Sequence, residues 1–259
     1  MCCVSHIGLP LVAGLAVAVG AFGLASTQPE PTAQPAASAC CSTGAAVAAA
    51  ECCGGCKTGE GECTAETAKG PVEDPVPEAG SAKIGEMAPD FALIDLNGER
   101  HQLSEYTAEG KIVVLEWFNP ECPFVVKQYE RFSTMPDTYN TLTEEHDNIV
   151  WLAINSGRDG HATADHDFNA EAVEKWEIKY PVLMDPTGIV GQAYSALRTP
   201  HMYVIAEDGT LIFAGAIDNN PSPRVAGDVN YVLQAVAQHF AGETITEPEV
   251  AAYGCGVKY

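Results

Sequence analysis

One cysteine at a predicted strand-to-helix junction is the residue of this sequence best suited to chemistry. In WFNPECPFVVK (117–127), Cys122 follows an apolar run and precedes Pro123, which favours the first turn of a helix. A thiol at a helix N-terminus feels the positive end of the helix dipole, and unpaired backbone amides there stabilise the thiolate. We therefore predict that Cys122 is a redox-active nucleophile. The alternative is a buried cysteine that acts only as a small apolar side chain.

A carboxylate six residues earlier is the second candidate. Glu116 interrupts the apolar run IVVLEWF, where an ionised group is costly unless it is partnered or has a function. Burial would raise its pKa and make it a proton acceptor or donor for thiol chemistry. The alternative is that the end of the strand is wet and Glu116 points into water.

The third candidate is Arg198-Thr199-Pro200-His201, directly before the predicted strand MYVIAE. Proline is tolerated at the start of a strand, and a cis X–Pro bond in such a turn is usually structural or functional. Arg198 and His201 could bring positive charge near a thiolate. His201 could equally be an ordinary surface histidine.

Four cysteines of the segment before the domain form a candidate metal site. Cys53-Gly54-Gly55-Cys56 has metal-ligand spacing, and Cys52 and Cys63 could add thiolates, a donor set that suits zinc or Cu(I). The alternative is that these cysteines oxidise to disulfides in an exported protein.

The elements that must position these residues follow from hydrophobic patterning. KIVVLEWF (111–118) and IVWLAI (149–154) are near-continuous apolar runs, which predict strands buried on both faces. VVKQYERF, after Cys122, predicts a helix. The pair Asn97-Gly98, between two alternating segments, predicts a hairpin.

A last helix is predicted for VAGDVNYVLQAVAQHF, which would place five apolar side chains on one face: Val225, Val229, Val232, Val236 and Phe240. The order of elements predicts an α/β fold, in which a central mixed β-sheet carries helices on both faces and is preceded by a β-hairpin extension.

The composition divides the chain into four parts. Residues 1–26 contain the uncharged run IGLPLVAGLAVAVGAFGLA (7–25), which predicts a signal peptide or an N-terminal membrane anchor and hence an exported, periplasmic or extracytoplasmic protein. Residues 27–80 are rich in Pro, Gly, Ser and Ala and predict a disordered, cysteine-containing linker. The domain spans 81–242, and 243–259 form a tail that contains Cys255.

The net charge of the chain limits the classes of partner that it is expected to bind. The formal net charge is −22, from 35 acidic and 13 basic residues. A surface this acidic repels phosphate backbones and anionic lipid headgroups, so nucleic acid is not an expected partner.

Taken together, these motifs resemble the thioredoxin superfamily. Glu116 six residues before Cys122, the strand–cysteine–helix turn and Thr199-Pro200 before a late strand carry the resemblance. The opening APDFALIDLNGERHQL is similar to the redoxin branch, which includes the alkyl hydroperoxide reductase/thiol-specific antioxidant proteins and the ResA/TlpA-like proteins. The resemblance covers about residues 84–241 and implies a thioredoxin-like fold.

The resemblance also implies roles for individual residues. Cys122 matches the attacking cysteine, Glu116 the buried carboxylate, and Pro200 the cis-proline that lies against the active sulfur. Arg198 matches loosely the arginine that activates peroxide in peroxiredoxins. Two positions depart from the family: Val125 stands where a CxxC motif has its second cysteine, and Asn119 where peroxiredoxins have threonine.

Without a CxxC motif, the resemblance points to Cys255 as a resolving thiol, as in two-cysteine peroxiredoxins. Cys122 would be oxidised to a sulfenic acid, and Cys255 would condense with it to a disulfide. The alternative is an unrelated tail thiol that pairs with a linker cysteine or with another chain.

The sequence therefore predicts an exported thiol-dependent oxidoreductase that reduces a peroxide or a client protein disulfide, draws electrons from a thiol reductant and requires no cofactor. Two alternatives remain: a thioredoxin-fold carrier of copper or zinc, and a redox-inert binding domain. The oligomeric state is not specified by the sequence.

Overall fold

The computed structural model describes residues 74–259. The predicted leader or anchor, 1–26, and linker residues 27–73 lie outside this part, and so do Cys52, Cys53, Cys56 and Cys63 with the metal site predicted for them. Of the linker, residues 74–80 are described, and Gly80 N–H donates to the Gln192 carbonyl at 2.8 Å. Within 74–259, no helix has the length and apolar character needed to cross a membrane.

The described chain alternates short strands and helices. The strands are β1 Ala92–Asp95, β2 Arg100–Gln102, β3 Ile112–Trp117, β4 Ile149–Asn155, β5 Val182–Met184, β6 Arg198–Thr199, β7 Met202–Ile205, β8 Leu211–Gly215 and β9 Cys255–Gly256. The helices are α1 Leu103–Ala108, α2 Pro123–Val126, α3 Thr134–Glu145, α4 His166–Lys175, α5 Ile189–Ala193 and α6 Tyr231–Phe240, with a π-helical turn at Lys127–Arg131 and a 3₁₀ turn at Ala162–Ala164.

Seven strands form one mixed sheet in the order β2-β1-β5-β4-β3-β7-β8. The centre is parallel, with β3 paired to β4 and β4 to β5, and β7 joins β3 in antiparallel orientation. β1 and β2 pair antiparallel around Asn97-Gly98 and continue the sheet beyond β5. The fold is the predicted α/β, thioredoxin-like architecture.

Both faces of the sheet are buried because the side chains of the central strands alternate between two cores. Val114 and Phe118 contribute to the core shared with α3, α4 and α6, whereas Leu115 and Trp117 contribute to the core shared with α1 and α5. Glu116 points to the first of these faces, by the period of two along a strand. The continuous apolar run that predicted β3 is explained by this double burial.

The last helix is shorter than predicted. Val225 and Val229 are exposed and precede the helix, which begins at Tyr231 after Asn230 accepts a hydrogen bond from Leu233 N–H at 3.0 Å. Of the predicted apolar face, only Val232 and Val236 are fully buried. The valine spacing was right for a helix, but the helix begins only after its N-cap Asn230, which lies five residues beyond Val225, the first valine of the pattern.

Residues 249–259, which we call the strap, lie across the domain. Val250 N–H donates to the Ala214 carbonyl at 3.0 Å, at the free edge of β8. Farther along, β9 pairs antiparallel with β6 to form a separate two-stranded sheet. The strap therefore contacts the free edge of β8 through Val250 and then pairs with β6, the strand directly before Pro200.

Candidate active site

Cys122 lies at the N-cap of α2, directly after β3, and its side chain is 1% exposed. Its backbone N–H donates to the Asn119 carbonyl at 3.0 Å, which shapes the turn, and its thiol donates to the Thr199 carbonyl at 2.9 Å. Val125 occupies the position of a second CxxC cysteine and is fully buried. The local turn therefore presents one thiol to the Thr199 segment.

The Thr199–Pro200 peptide bond is cis. Thr199 is buried, and its side-chain hydroxyl has no hydrogen-bond partner among residues 74–259, while its carbonyl receives the Cys122 thiol. The residues Thr199 and Cys122 are thus in direct contact across 77 positions of sequence.

Cys255, which belongs to the strap, lies beside Thr199. In the β6–β9 pair, Cys255 is opposite Thr199 and Gly256 is opposite Arg198. Burial and a hydrogen bond with Cys122 raise the pKa of the Cys255 thiol to about 12. Both cysteines are free thiols. The reduced site therefore holds two thiols side by side, of which Cys255 is protonated at neutral pH.

The two glycines beside Cys255 have different roles. Gly254 has φ +129°, and a Cβ atom there would lie 2.0 Å from the Thr199 carbonyl oxygen. A Cβ atom on Gly256 would meet nothing within 4 Å. Only Gly254 is required for the close approach of the strap to Thr199.

The two basic candidates near Pro200 behave differently. The Arg198 side chain is exposed, and its charge, like that of Lys258, favours the thiolate of Cys255 and partly opposes the effect of burial on its pKa. His201 is partly buried, and desolvation lowers its pKa to about 4. His201 is therefore neutral at pH 7, which opposes its predicted role as a positive charge near the thiolate.

Glu116 is completely buried, so the alternative of a wet strand end is wrong. Its carboxylate accepts hydrogen bonds from Tyr129 Oη at 2.9 Å, Tyr180 Oη at 3.1 Å and Trp151 Nε1 at 3.2 Å. Burial raises the pKa of Glu116 to about 7, although these three donors favour the ionised form. None of the hydrogen bonds found within residues 74–259 links Glu116 to either thiol.

A buried polar group that the sequence analysis missed fixes the start of the strap. Lys127 and Asp218 are buried and form an ion pair of 3.0 Å, and Gln128 Nε2 donates to the same carboxylate at 3.0 Å. The Tyr253 hydroxyl donates to Asp218 and accepts from Gln128 Nε2 at 3.0 Å. We call these four residues the anchor cluster. Lys127 and Gln128 directly follow α2, so the cluster joins the strap to the helix that begins at Cys122.

The far end of the strap is also held. Arg158 N–H donates to the Lys258 carbonyl at 2.8 Å, and Tyr259 Oη donates to the Ala196 carbonyl at 2.6 Å. A Cβ atom on Gly191 would lie 2.5 Å from Tyr259 Oη, so the absence of a side chain at Gly191 makes room for this ring. Cys255 therefore lies between two fixed points, at Tyr253 and at Tyr259.

Within residues 74–259, one group of side chains has the spacing of a metal site: Asp95, Glu99 and His101. Asp95 accepts hydrogen bonds from the backbone amides of Asn97 and Glu99, both at 2.8 Å, which is the pattern of a capped turn. His101 Nδ1 is 2.6 Å from Tyr106 Oη. These contacts are explained by the turn between β1 and β2, and none of the three residues belongs to the set predicted to bind metal.

The fold and the cysteine site define the class of the protein, a thioredoxin-like redoxin. The model of the AhpC/TSA family matches residues 84–214, half of the chain, and the chain belongs to this family. The family confirms the predicted thioredoxin-superfamily resemblance and the predicted class of thiol-dependent oxidoreductase.

The individual relatives and solved structures that are similar to this chain have low sequence identity to it. The thiol-disulfide oxidoreductase ResA of Geobacillus kaustophilus (strain HTA426) is 28% identical over 133 residues, which cover 51% of this chain and 68% of that protein. A hypothetical protein of Sinorhizobium meliloti 1021 has a solved structure similar at a TM-score of 0.59, with 24% identity over 71% of this chain and 98% of its own. An uncharacterized conserved protein of Geobacillus kaustophilus gives a TM-score of 0.60 and 22% identity over 73% and 98%. At these identities the structural matches show the fold alone.

Proposed function

We propose that this protein is a two-cysteine thiol oxidoreductase in which Cys122 attacks the substrate and Cys255 resolves the product. The observation that carries the proposal is the pairing of Cys255 with Thr199, because the same Thr199 carbonyl receives the Cys122 thiol. The influence of the Cys122 thiol on the pKa of the Cys255 thiol supports the proximity of the two side chains that a disulfide between them requires.

A peroxide is the first of the two proposed substrates. The Cys122 thiolate attacks one peroxide oxygen, the O–O bond breaks, and the second oxygen leaves as water or an alcohol after it takes a proton. Cys255 sulfur then attacks the sulfenic sulfur of Cys122, the S–O bond breaks, and water leaves. The peroxide gains two electrons, and the two thiols become one disulfide.

With a client disulfide as substrate, Cys122 thiolate attacks one client sulfur and a client thiolate leaves. Cys255 then attacks the Cys122 sulfur of the mixed disulfide and releases the second client thiol. In both cases a thiol reductant returns Cys122 and Cys255 to the reduced state. The name of the ResA relative supports the second reaction for that protein.

Four further residues have supporting roles in this proposal. Thr199 and Pro200 form the wall against which the Cys122 sulfur rests, and Arg198 supplies positive charge that favours the Cys255 thiolate when it attacks. Glu116, with its pKa raised to about 7 by burial, is proposed as a store for a proton near the base of the site.

Non-reducing peptide mapping by mass spectrometry tests the proposal. The reduced protein is treated with one equivalent of hydrogen peroxide, or with a disulfide-bonded peptide, and the cysteine-containing peptides are quantified. We expect one cross-linked peptide pair that contains Cys122 and Cys255, and we expect its loss in Cys122→Ser and in Cys255→Ser.

The Cys122→Ser and Cys255→Ser variants also separate the two steps. Cys255→Ser keeps the attacking thiol, so it should accumulate a sulfenic acid or a mixed disulfide at Cys122. If Cys122 remains a thiol with both oxidants while the linker cysteines oxidise, the proposal fails, and the metal-carrier or redox-inert alternative replaces it.

We also infer that the protein works outside the cytoplasm, on the evidence of the apolar run at residues 7–25. Cell fractionation of the full chain, compared with a chain in which three leucines of this run are replaced by glutamate, tests it. Equal amounts of both chains in the cytoplasm would contradict the inference.

A further inference from the structure

The strap covers the attacking thiol. Cys122 is 1% exposed, and the backbone groups of Arg198 and Thr199 that face the strap are paired with Gly256 and Cys255. An extended peptide that brought a disulfide to Cys122 would need this same edge, because the edge ends at the carbonyl that contacts the thiol. The docked strap therefore occupies the position of an extended client.

At Tyr253 the strap is held by polar contacts of the hydroxyl, whereas Val250, Cys255 and Val257 pack on the two cores. The Tyr253 hydroxyl is the only group of the strap in the anchor cluster, and the Tyr253 ring packs on Phe124 at a centroid distance of 5.8 Å. On the domain side, Lys127 is already paired with Asp218 and with the Asn220 carbonyl at 2.8 Å. Release of Tyr253 would thus leave no unpaired charge, and water could replace its hydroxyl.

At its centre, the strap backbone is in tight contact with the Thr199 carbonyl. Gly254 fits against the Thr199 carbonyl only because it lacks a Cβ atom. A small shift at this point separates Cys255 from Thr199, so docking of this stretch is close to all-or-none.

We propose that the strap selects the substrate of Cys122 by size, with Tyr253 as the residue that sets this specificity. Docked, the strap admits a small peroxide, which needs only a local fluctuation, and blocks an extended disulfide client, which needs the whole β6 edge. Released, it opens the edge to the client. The inference rests on the proposed function, in that Cys122 is the attacking thiol.

Two rate constants measured in the Cys255→Ser background test the selection. One is for oxidation of Cys122 by hydrogen peroxide, with the sulfenic acid trapped by dimedone; the other is for mixed-disulfide formation with a disulfide-bonded peptide of about ten residues. Tyr253→Phe removes the hydroxyl and keeps the ring. Because a hydrogen bond to a charged group is worth roughly tenfold or more in an opening equilibrium, we expect the peptide reaction to accelerate about tenfold.

The peroxide reaction should change by less than about twofold in the same variant, because it does not require release of the strap. The matched control is Tyr231→Phe, whose hydroxyl has no side-chain hydrogen-bond partner within residues 74–259 and which lies at the start of α6. The control should change neither rate. Equal acceleration of both reactions by Tyr253→Phe, or of neither, would overturn the proposal.

A second pair of variants tests the strap itself. Gly254→Ala clashes with Thr199, whereas Gly256→Ala enters open space. We expect hydrogen exchange of the peptide covering residues 253–259 to rise to that of an unprotected segment in Gly254→Ala only, while exchange in β3 stays unchanged. Gly254→Ala should then accelerate the peptide reaction as Tyr253→Phe does, and a slower or unchanged peptide reaction would contradict the inference.

These outcomes are distinct from failure of the proposed function. Both rate constants report on Cys122 alone, so they can be measured whether or not Cys255 forms a disulfide. Cys122 inert to both oxidants would defeat the proposed function and the selection together, whereas a reactive Cys122 with an unchanged ratio of rates would defeat the selection only.

Discussion

Glu116 combines complete burial with three hydrogen-bond donors, and the two influences act on its pKa in opposite directions. Burial disfavours the carboxylate, while Tyr129, Tyr180 and Trp151 stabilise it, and burial is the larger effect. The result, a pKa of about 7, means that the native protein holds this proton under conditions in which an unfolded chain has lost it.

The pKa of Glu116 predicts a pH dependence of stability. The folded pKa, about 7, lies above the ordinary 4.5, so the native state binds more protons between these values and stability falls as pH rises through this window. From the shift, the loss is about 3 kcal/mol. Urea unfolding from pH 4.5 to pH 8 should show this loss in the wild type and not in Glu116→Gln. Parallel curves for the two proteins would contradict the assignment.

Lys127 is a second buried ionisable residue, and its partner Asp218 is almost as buried. Replacing Lys127 by Met leaves the Asp218 carboxylate without its cation, so we expect a loss of about 3–5 kcal/mol in the free energy of unfolding. Urea denaturation measures it. Lys179→Met, at an exposed lysine that donates only to Asn140 among residues 74–259, is the matched control, with an expected change within about 0.5 kcal/mol.

The double variant Lys127→Met/Asp218→Asn tests the cause of that loss. Because the second change removes the uncompensated charge, it should restore part of the lost stability. A double variant less stable than Lys127→Met would show that the loss comes from packing and not from charge.

At the scale of elements, α6 shows how one side chain sets a boundary. Asn230 accepts a hydrogen bond from Leu233 N–H and donates from Nδ2 to Thr138 Oγ1 at 2.6 Å, which ties the start of α6 to α3. Before the helix, a Cβ atom on Gly227 would lie 2.5 Å from the Cβ atom of Asp218. The loop around Gly227 therefore packs directly against Asp218 of the anchor cluster.

We expect Asn230→Ala to cost about 1–2 kcal/mol, because it removes both the cap and the link to α3. Asn230→Asp keeps an acceptor for Leu233 N–H and loses only the donor to Thr138, so its cost should be smaller. Chemical denaturation of the two variants gives the comparison. Equal costs would show that the contact with Thr138, and not the cap, dominates.

Most of the central elements could be predicted from the sequence because their apolar runs are continuous or strictly periodic. β3 and β4 were predicted within one residue of their observed ends, since strands buried on both faces leave little polar pattern to misread. α6 was predicted too long because Val225 and Val229 share its period, and a side-chain cap overrides periodicity.

The anchor cluster could not be predicted in the same way. Lys127, Asp218 and Tyr253 are brought together from positions 91 and 126 residues apart, and single charged residues ordinarily indicate a solvent-exposed face. One signal was available: Lys127 lies in the segment predicted to be helical after Cys122, in a chain with only 13 basic residues.

At the scale of the whole molecule, the proposed disulfide would close a loop of more than 100 residues. In the chain-entropy account, a cross-link over such a loop stabilises the folded state by restricting the unfolded chain. We expect oxidised protein to be about 2–4 kcal/mol more stable than reduced protein in guanidinium unfolding. Cys255→Ser should show no difference between the two conditions, and a difference that persists in this variant would assign it to other cysteines.

The anchoring of the strap also has a consequence for synthesis. A ribosome completes the residues of the seven-stranded sheet, which end at Gly215, before it adds Tyr253, Gly254 and Cys255. On the proposed cycle, a nascent or truncated domain would carry Cys122 without its resolving thiol, and a sulfenic acid formed there could advance to irreversible oxidation states. On the proposed cycle, protection of Cys122 is therefore a property that the domain gains only after its central sheet has been synthesised.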